Sequence, residues 1–177
     1  MRIRESTSKE HDLIREVHRN AFGESEGPVV SQLACDILVD ETASPVLSLV
    51  AEEEGKIVGN IIFSTVIIEG YQNGITAYIL APLAVLEEYQ RKGVGMALIE
   101  KGLAALMEKG AALVFVYGDP AYYSRSGFEP GMPYDLKAPY DLKYPVGWMV
   151  LELQQGALGK AVGVVQCASS LSAPELW

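Results

Sequence analysis

The segment ITAYILAPLAVLEEYQRKGVGMALIEKGLAALMEKG, residues 75–110, limits the fold more than any other part of the chain. It opens on a nearly continuous apolar run, ITAYILAPLAVL, which reads as a strand buried on both faces. It then turns through EEYQRKGVG and enters an amphipathic helix predicted to reach about Lys109. Gly93 and Gly95 stand one residue apart where that helix begins. Glycine costs a helix about 0.5–1 kcal/mol relative to alanine. Either the turn needs a positive φ there, or something approaches the backbone so closely that side chains are kept away.

The other elements follow from periodicity and breakers. MRIRES reads as a short strand, and residues 8–21 and 28–39 read as two helices joined by a break from Gly23 to Pro28. PVLSLVAEEEGKIVGNIIFSTVIIEG reads as two strands with a turn at EEEGK. ALVFVYG is a further buried strand. DPAYYSRSGF is a short helix with Asp119 as its cap and Pro120 in its first turn. GWMVLELQQ and GVVQCA close the sequence as strands. No linker or low-complexity tract divides the 177 residues, so one domain is expected over 1–177, with a core over about 1–155 and a strand and tail over 156–177.

Charge narrows the partners. A net charge of −9 argues against a nucleic-acid grip and against an anionic membrane surface. The first residues are too polar for a signal peptide, and no apolar run reaches the roughly 18 residues of a membrane span. A cytoplasmic protein is expected. Cys35 and Cys167 form no C-x-x-C pair and read as buried thiols, and no metal is implied. PYDLK occurs twice, at 133–137 and 139–143. It reads as a solvated, proline-stiffened loop or as a lid that offers Tyr134, Asp135, Tyr140 and Asp141 to a substrate.

A helix start carries unpaired backbone N–H groups and partial positive charge, so a glycine turn leading into it can receive phosphate oxygens. Arg91 and Lys92 add charge in the same turn. The G-x-x-x-x-G-K-[ST] phosphate loop is absent. A dinucleotide fold has the right order of strand, glycines, helix and strand, with Asp119 near the distance for a ribose contact. Leu98 nevertheless stands where its third glycine belongs, and EEYQRK lengthens a turn that should be tight.

LAPLAVLEEYQRKGVGMALIE resembles the acetyl-CoA-binding motif of the GNAT superfamily of N-acetyltransferases, a central strand followed by [QR]-x-x-G-x-[GA] at a helix start. YYSRSGF, Tyr122 to Phe128, is similar to the family's Y-x-x-x-G-F. The order of elements over about residues 1–155 agrees with the family. The resemblance implies an α/β (α+β) fold: a central, mixed, mostly antiparallel sheet splayed around an acyl-CoA site, with helices on both faces.

The resemblance also implies a site. Main-chain groups of Leu83, Ala84 and Val85 would pair with the pantetheine arm of acetyl-CoA. The turn and helix start at Gln90, Arg91, Lys92, Gly93, Val94, Gly95 and Met96 would hold its pyrophosphate. Pro82 cannot donate to a strand ladder, and either marks a bulge where the strands part or simply ends the strand. Tyr123, at the motif's spacing from Gly127 and Phe128, would protonate the departing thiolate, with Tyr122 a packing residue. An acetyl-CoA-dependent N-acetyltransferase acting on a primary amine of a small molecule or protein is expected, with a homodimer allowed but not required. The central strand holds no carboxylate for a base, Glu87 and Glu88 lie beyond it, and His11 and His18 read as surface or packing residues. A non-catalytic acyl-CoA sensor and a nicotinamide-dependent oxidoreductase stand as alternatives.

Overall fold

In the computed structural model, which describes residues 1–71 and 74–177, the strands are β1 (Arg2–Glu5), β2 (Leu47–Glu53), β3 (Lys56–Ile68), β4 (Ala77–Val85), β5 (Leu113–Tyr117), β6 (Glu129–Pro130), β7 (Leu136–Lys137), β8 (Trp148–Glu152) and β9 (Gly163–Gln166). The helices are α1 (His11–Val39), α2 (Val94–Glu108) and the single turn α3 (Pro120–Tyr123). The main sheet runs β1-β2-β3-β4-β5-β8-β6, and only the β4–β5 pair in that path is parallel.

α1 is two arms rather than one rod. A straight helix would separate residues 15 and 35 by about 30 Å, yet Arg15 Nε lies 3.2 Å from Cys35 Sγ. Gly23 breaks the helix at φ 73° and ψ −170°, and the second arm folds back on the first. Gly27 sits against the Arg19 carbonyl, where a Cβ would overlap it.

Successive residues of a strand face opposite sides, which sets the two layers. On β3, a Cβ at Gly59 would meet Leu98 and Val94 of α2. The next residue, Asn60, bonds His18 of α1. The helices therefore cover opposite faces of the sheet, as the resemblance implies. Phe63, Phe115, Trp148 and Leu98 are among the largest fully buried side chains.

β4 carries an irregularity at the place where Pro82 stands. The β3–β4 register shifts between Ile61, opposite Leu83, and Phe63, opposite Leu80. Ala81 and Pro82 are thus the extra length of a bulge. Parallel pairing with β5 ends at the same point, at Leu80 opposite Val116. β4 runs on to Val85 with no strand on that side among the described residues. The sheet is splayed, and the splay begins at Pro82.

The 156–177 region holds the expected strand, β9. β9 does not extend the sheet beside β8; it pairs with the end of β3 and with β7. Val165 and Leu171 are buried, and Ser170 bonds Asp40 at the end of α1 through both its N–H and its hydroxyl. The two PYDLK copies are not a structural repeat: Leu136 of the first lies in β7 and is fully buried, while the second forms no strand.

His18 is fully buried. Asn60 uses its amide nitrogen on Ser48 Oγ and the Leu49 carbonyl, so its oxygen accepts from His18 Nε2 at 2.8 Å. Nδ1 then carries the lone pair and has no partner among the described residues. Burial lowers the histidine from 6.5 to about 4, against a smaller opposing effect of Asn60. The unfolded chain therefore takes up a proton that the folded one refuses. This contribution is fully present above pH 6.5 and is lost as the pH falls toward 4, about 3 kcal/mol in all. His18→Gln, which keeps a donor for Asn60, is expected to flatten that part of the pH dependence of urea unfolding. An unchanged wild-type-minus-variant difference across this window would contradict the buried neutral histidine.

Candidate active site

The freed end of β4 and the start of α2 make one cleft. Leu86 N–H donates to Val58 O at 2.9 Å, so Leu86 faces β3. By the alternation of an antiparallel ladder, Ala84, opposite Asn60, faces β3 as well. Leu83 and Val85 turn their N–H and C=O groups the other way, into the space β5 has left. Gln90 Nε2 reaches into that space and donates to Val85 O at 2.9 Å.

α2 starts without a side-chain cap. Gly93 is its N-cap, at φ 82°. The first helical backbone donors, on Val94, Gly95 and Met96, have no carbonyl one turn back to bond, and Ala97 N–H is the first to find one, Gly93 O at 3.0 Å. Two features explain the glycines. Gly93 supplies the left-handed conformation of the turn, with open space around it. Gly95 lies under Tyr122, and a Cβ there would overlap the Tyr122 hydroxyl.

α3 supplies the opposite wall. Asp119 Oδ1 accepts from Ala121 N–H at 2.9 Å, the predicted cap, with Pro120 in the first turn. This places Tyr122 and Tyr123 edge to face at 5.1 Å. Tyr123 also meets Phe128 at 5.9 Å, and its ring covers Gly118, where a Cβ would crowd it. Burial, then Tyr122 and the Asp119 carboxylate, push the Tyr123 phenol well above its ordinary value. It is a proton donor throughout the neutral range.

The cleft has a volume of about 580 Å³. Of the residues expected in the site, Leu83, Val85, Gln90, Arg91, Gly93, Val94, Gly95, Met96 and Tyr123 line it. Ala84 and Lys92 do not. Ala84 is buried with its backbone turned to β3, and the Lys92 ammonium lies over the Tyr89 ring, 5.5 Å from its centre. Tyr122 and Arg125 line the cleft in addition. Arg125 lies over the Tyr122 ring at 5.8 Å and, with Arg91, gives the cleft two guanidinium groups. Its sequence signal was a basic residue inside YYSRSGF. Glu87 and Glu88 are exposed, and Glu88 pairs with Lys56 at 3.3 Å.

The donor set suits an acyl-CoA: uncapped helix N–H groups and two arginines for phosphates, and unpaired strand groups for an amide-containing arm. Comparisons with known proteins agree. A family profile described as acetyltransferase (GNAT) domain matches residues 2–131. An uncharacterized N-acetyltransferase of Escherichia coli K12, YjhQ, is 41% identical over 158 residues, 88% of this chain and 85% of that protein. The crystal structure of the E. coli GNAT family N-acetyltransferase YhbS in complex with CoA superposes with a TM-score of 0.87 at 30% identity, covering 97% of this chain and 92% of that one. A GNAT acetyltransferase of Brucella melitensis in complex with acetyl-CoA gives a TM-score of 0.75 at 29% identity over 96% and 97%. Fold and cleft together define an acyl-CoA-dependent transferase, and the chain belongs to the GNAT acetyltransferase family.

Proposed function

We propose that the protein transfers the acetyl group of acetyl-CoA to a primary amine of a small molecule or protein, with the 580 Å³ cleft as its co-substrate site. One observation carries the reading. The backbone of β4 at Leu83 and Val85, turned away from β3, the uncapped start of α2 and the phenol of Tyr123 converge on one space.

Each residue has a defined task. The N–H groups of Val94, Gly95 and Met96 receive the pyrophosphate, with Arg91 and Arg125 beside them. Leu83 and Val85 pair with the pantetheine arm, and one of their N–H groups steadies the charge that develops on the carbonyl oxygen. Acetyl-CoA supplies the acyl group as a thioester. The amine nitrogen bonds the carbonyl carbon as the carbon–sulfur bond breaks, and Tyr123 donates its proton to the sulfur. The proton lost by the amine goes to water, since none of the carboxylates near β4 reaches the cleft's lining. Cys35 and Cys167 are both free thiols, which suits a reducing, cytoplasmic setting.

The test is amine-dependent release of thiol from acetyl-CoA, run across cationic and neutral primary amines. Turnover with at least one of them is expected. Tight acetyl-CoA binding with no turnover on any amine would replace the enzyme by the sensor reading.

A further inference from the structure

We infer that Trp177 builds an aromatic wall on the acceptor side of the splay and selects amines that carry an aromatic or other flat apolar body; this rests on the acyl-transfer reading above.

The placement follows from register. Asn60 faces α1, so Ser64, four residues along β3, faces α1 too. Ser64 stands opposite Ile79 on β4, and Ile79 stands opposite Phe115 on β5. Partners in register share a face. Phe115 is therefore on the α1 face, and so is Tyr117, two residues on. Tyr117 is the last residue of β5, just past Val116, where the β4–β5 pairing ends. It marks the edge of the splay on the face opposite α2 and the co-substrate cleft. Tyr117 therefore stands beside the gap between β4 and β5, through which an amine would meet the acyl group.

Tyr117 does not stand alone. Trp177 stacks on it, with ring centres 6.0 Å apart and planes 16° from parallel. Trp177 also meets Trp148 edge-on at 6.0 Å and Tyr140 at 6.4 Å. Its indole N–H donates to Leu171 O at 3.0 Å, which fixes the ring. Leu171 is itself buried, and the neighbouring Ser170 is tied to Asp40, just past the end of α1. The segment is thus anchored at its start by α1 and at its end by the aromatic cluster. Tyr140 comes from the second PYDLK copy and lines a further cleft of about 590 Å³ that also holds Asp141. Small-molecule sites typically occupy about 300–1,000 Å³. Of the four rings only Tyr140 lines that cleft, so the cluster borders, through Tyr140, a space large enough for the body of an amine.

Rings held by neighbours offer flat contact at little conformational cost, and such faces favour planar or cationic groups over hydroxylated ones. Neither composition nor the glycine motif assigns this role: Tyr117, Tyr140, Trp148 and Trp177 are brought together only by the fold.

The test compares kcat/KM for 2-phenylethylamine and ethanolamine, read as thiol release from acetyl-CoA. Wild type is expected to prefer the arylalkylamine. Trp177→Ala is expected to lower kcat/KM for 2-phenylethylamine about tenfold or more, as for loss of a buried aromatic anchor, and that for ethanolamine less than about threefold. Acetyl-CoA affinity should hold, because Trp177 lies on the opposite face from α2. If Trp177→Ala does not fold, Trp177→Leu, which keeps apolar volume, takes its place with the same expectation, and Trp177→Phe is expected to keep the preference. Turnover in wild type without the preference, or a preference that survives Trp177→Ala (or Trp177→Leu in its place), overturns the wall and leaves acyl transfer standing. Wild type that releases no thiol with any amine overturns acyl transfer, and the wall with it.

Discussion

Tyr123→Phe is expected to lower kcat for acetyl transfer about 10²-fold, the low end of general-acid effects. The substitution removes one oxygen and keeps the ring against Phe128, Tyr122 and Gly118, so the thermal midpoint should hold. Acetyl-CoA affinity should change little, because the binding donors are mainly backbone. The sign of the Tyr123 shift matters: burial raises the phenol, so its proton is present at neutral pH and available to a thiolate. A limb in the pH profile near neutrality must then come from the amine or from another group. Tyr122→Phe is the comparison and should keep most of the turnover. Near-normal kcat in Tyr123→Phe, with an unchanged midpoint, would reduce Tyr123 to a packing residue and favour a chain that binds acetyl-CoA without using it.

Gly95→Val should weaken acetyl-CoA at least about tenfold, roughly 1.4 kcal/mol. The cause is specific. The added carbons overlap the Tyr122 hydroxyl, so either Tyr122 swings into the cleft or the helix start shifts away from it. Tyr122→Phe removes the atom that is struck, so Gly95→Ala in that background should recover part of the affinity that Gly95→Ala alone loses. Gly93 behaves differently. No atom lies near its missing side chain, but φ is 82°, so a side chain there strains the backbone by roughly 1–2 kcal/mol. Its variants should therefore lose stability as well as affinity. Full affinity in a folded Gly95→Val would remove the start of α2 from the site.

Local signals carried much of this architecture. The apolar run of β4, the glycine entry to α2 and the Asp119 cap each follow from a few adjacent residues and lie where the sequence puts them, while the break expected from Gly23 to Pro28 is confined to Gly23, with Pro28 inside the second arm. What escaped depends on contacts between distant residues. β6 and β7 are two residues each, too short for a period to register. The docking of 169–177 rests on Asp40 and Thr42, about 130 positions away. The resemblance groups Ala84 with Leu83 and Val85, since a motif marks a strand but not which way its backbone groups point. That parity is set by the β3 register. The His18–Asn60 bond joins two elements 42 residues apart, so of the two readings of His18, surface or packing, the fold selects packing, at one end of a buried polar chain centred on Asn60.

The central claim is that acetyl-CoA lies between the freed edge of β4 and the uncapped start of α2. Backbone amide hydrogen exchange, resolved by residue and measured with and without acetyl-CoA, tests it most directly. The account predicts slower exchange at Leu83, Val85, Val94, Gly95 and Met96 when the co-substrate is present. Ala84, which already faces β3, should change least among its neighbours. Protection confined to other segments, or equal change at Leu83, Ala84 and Val85, would contradict it.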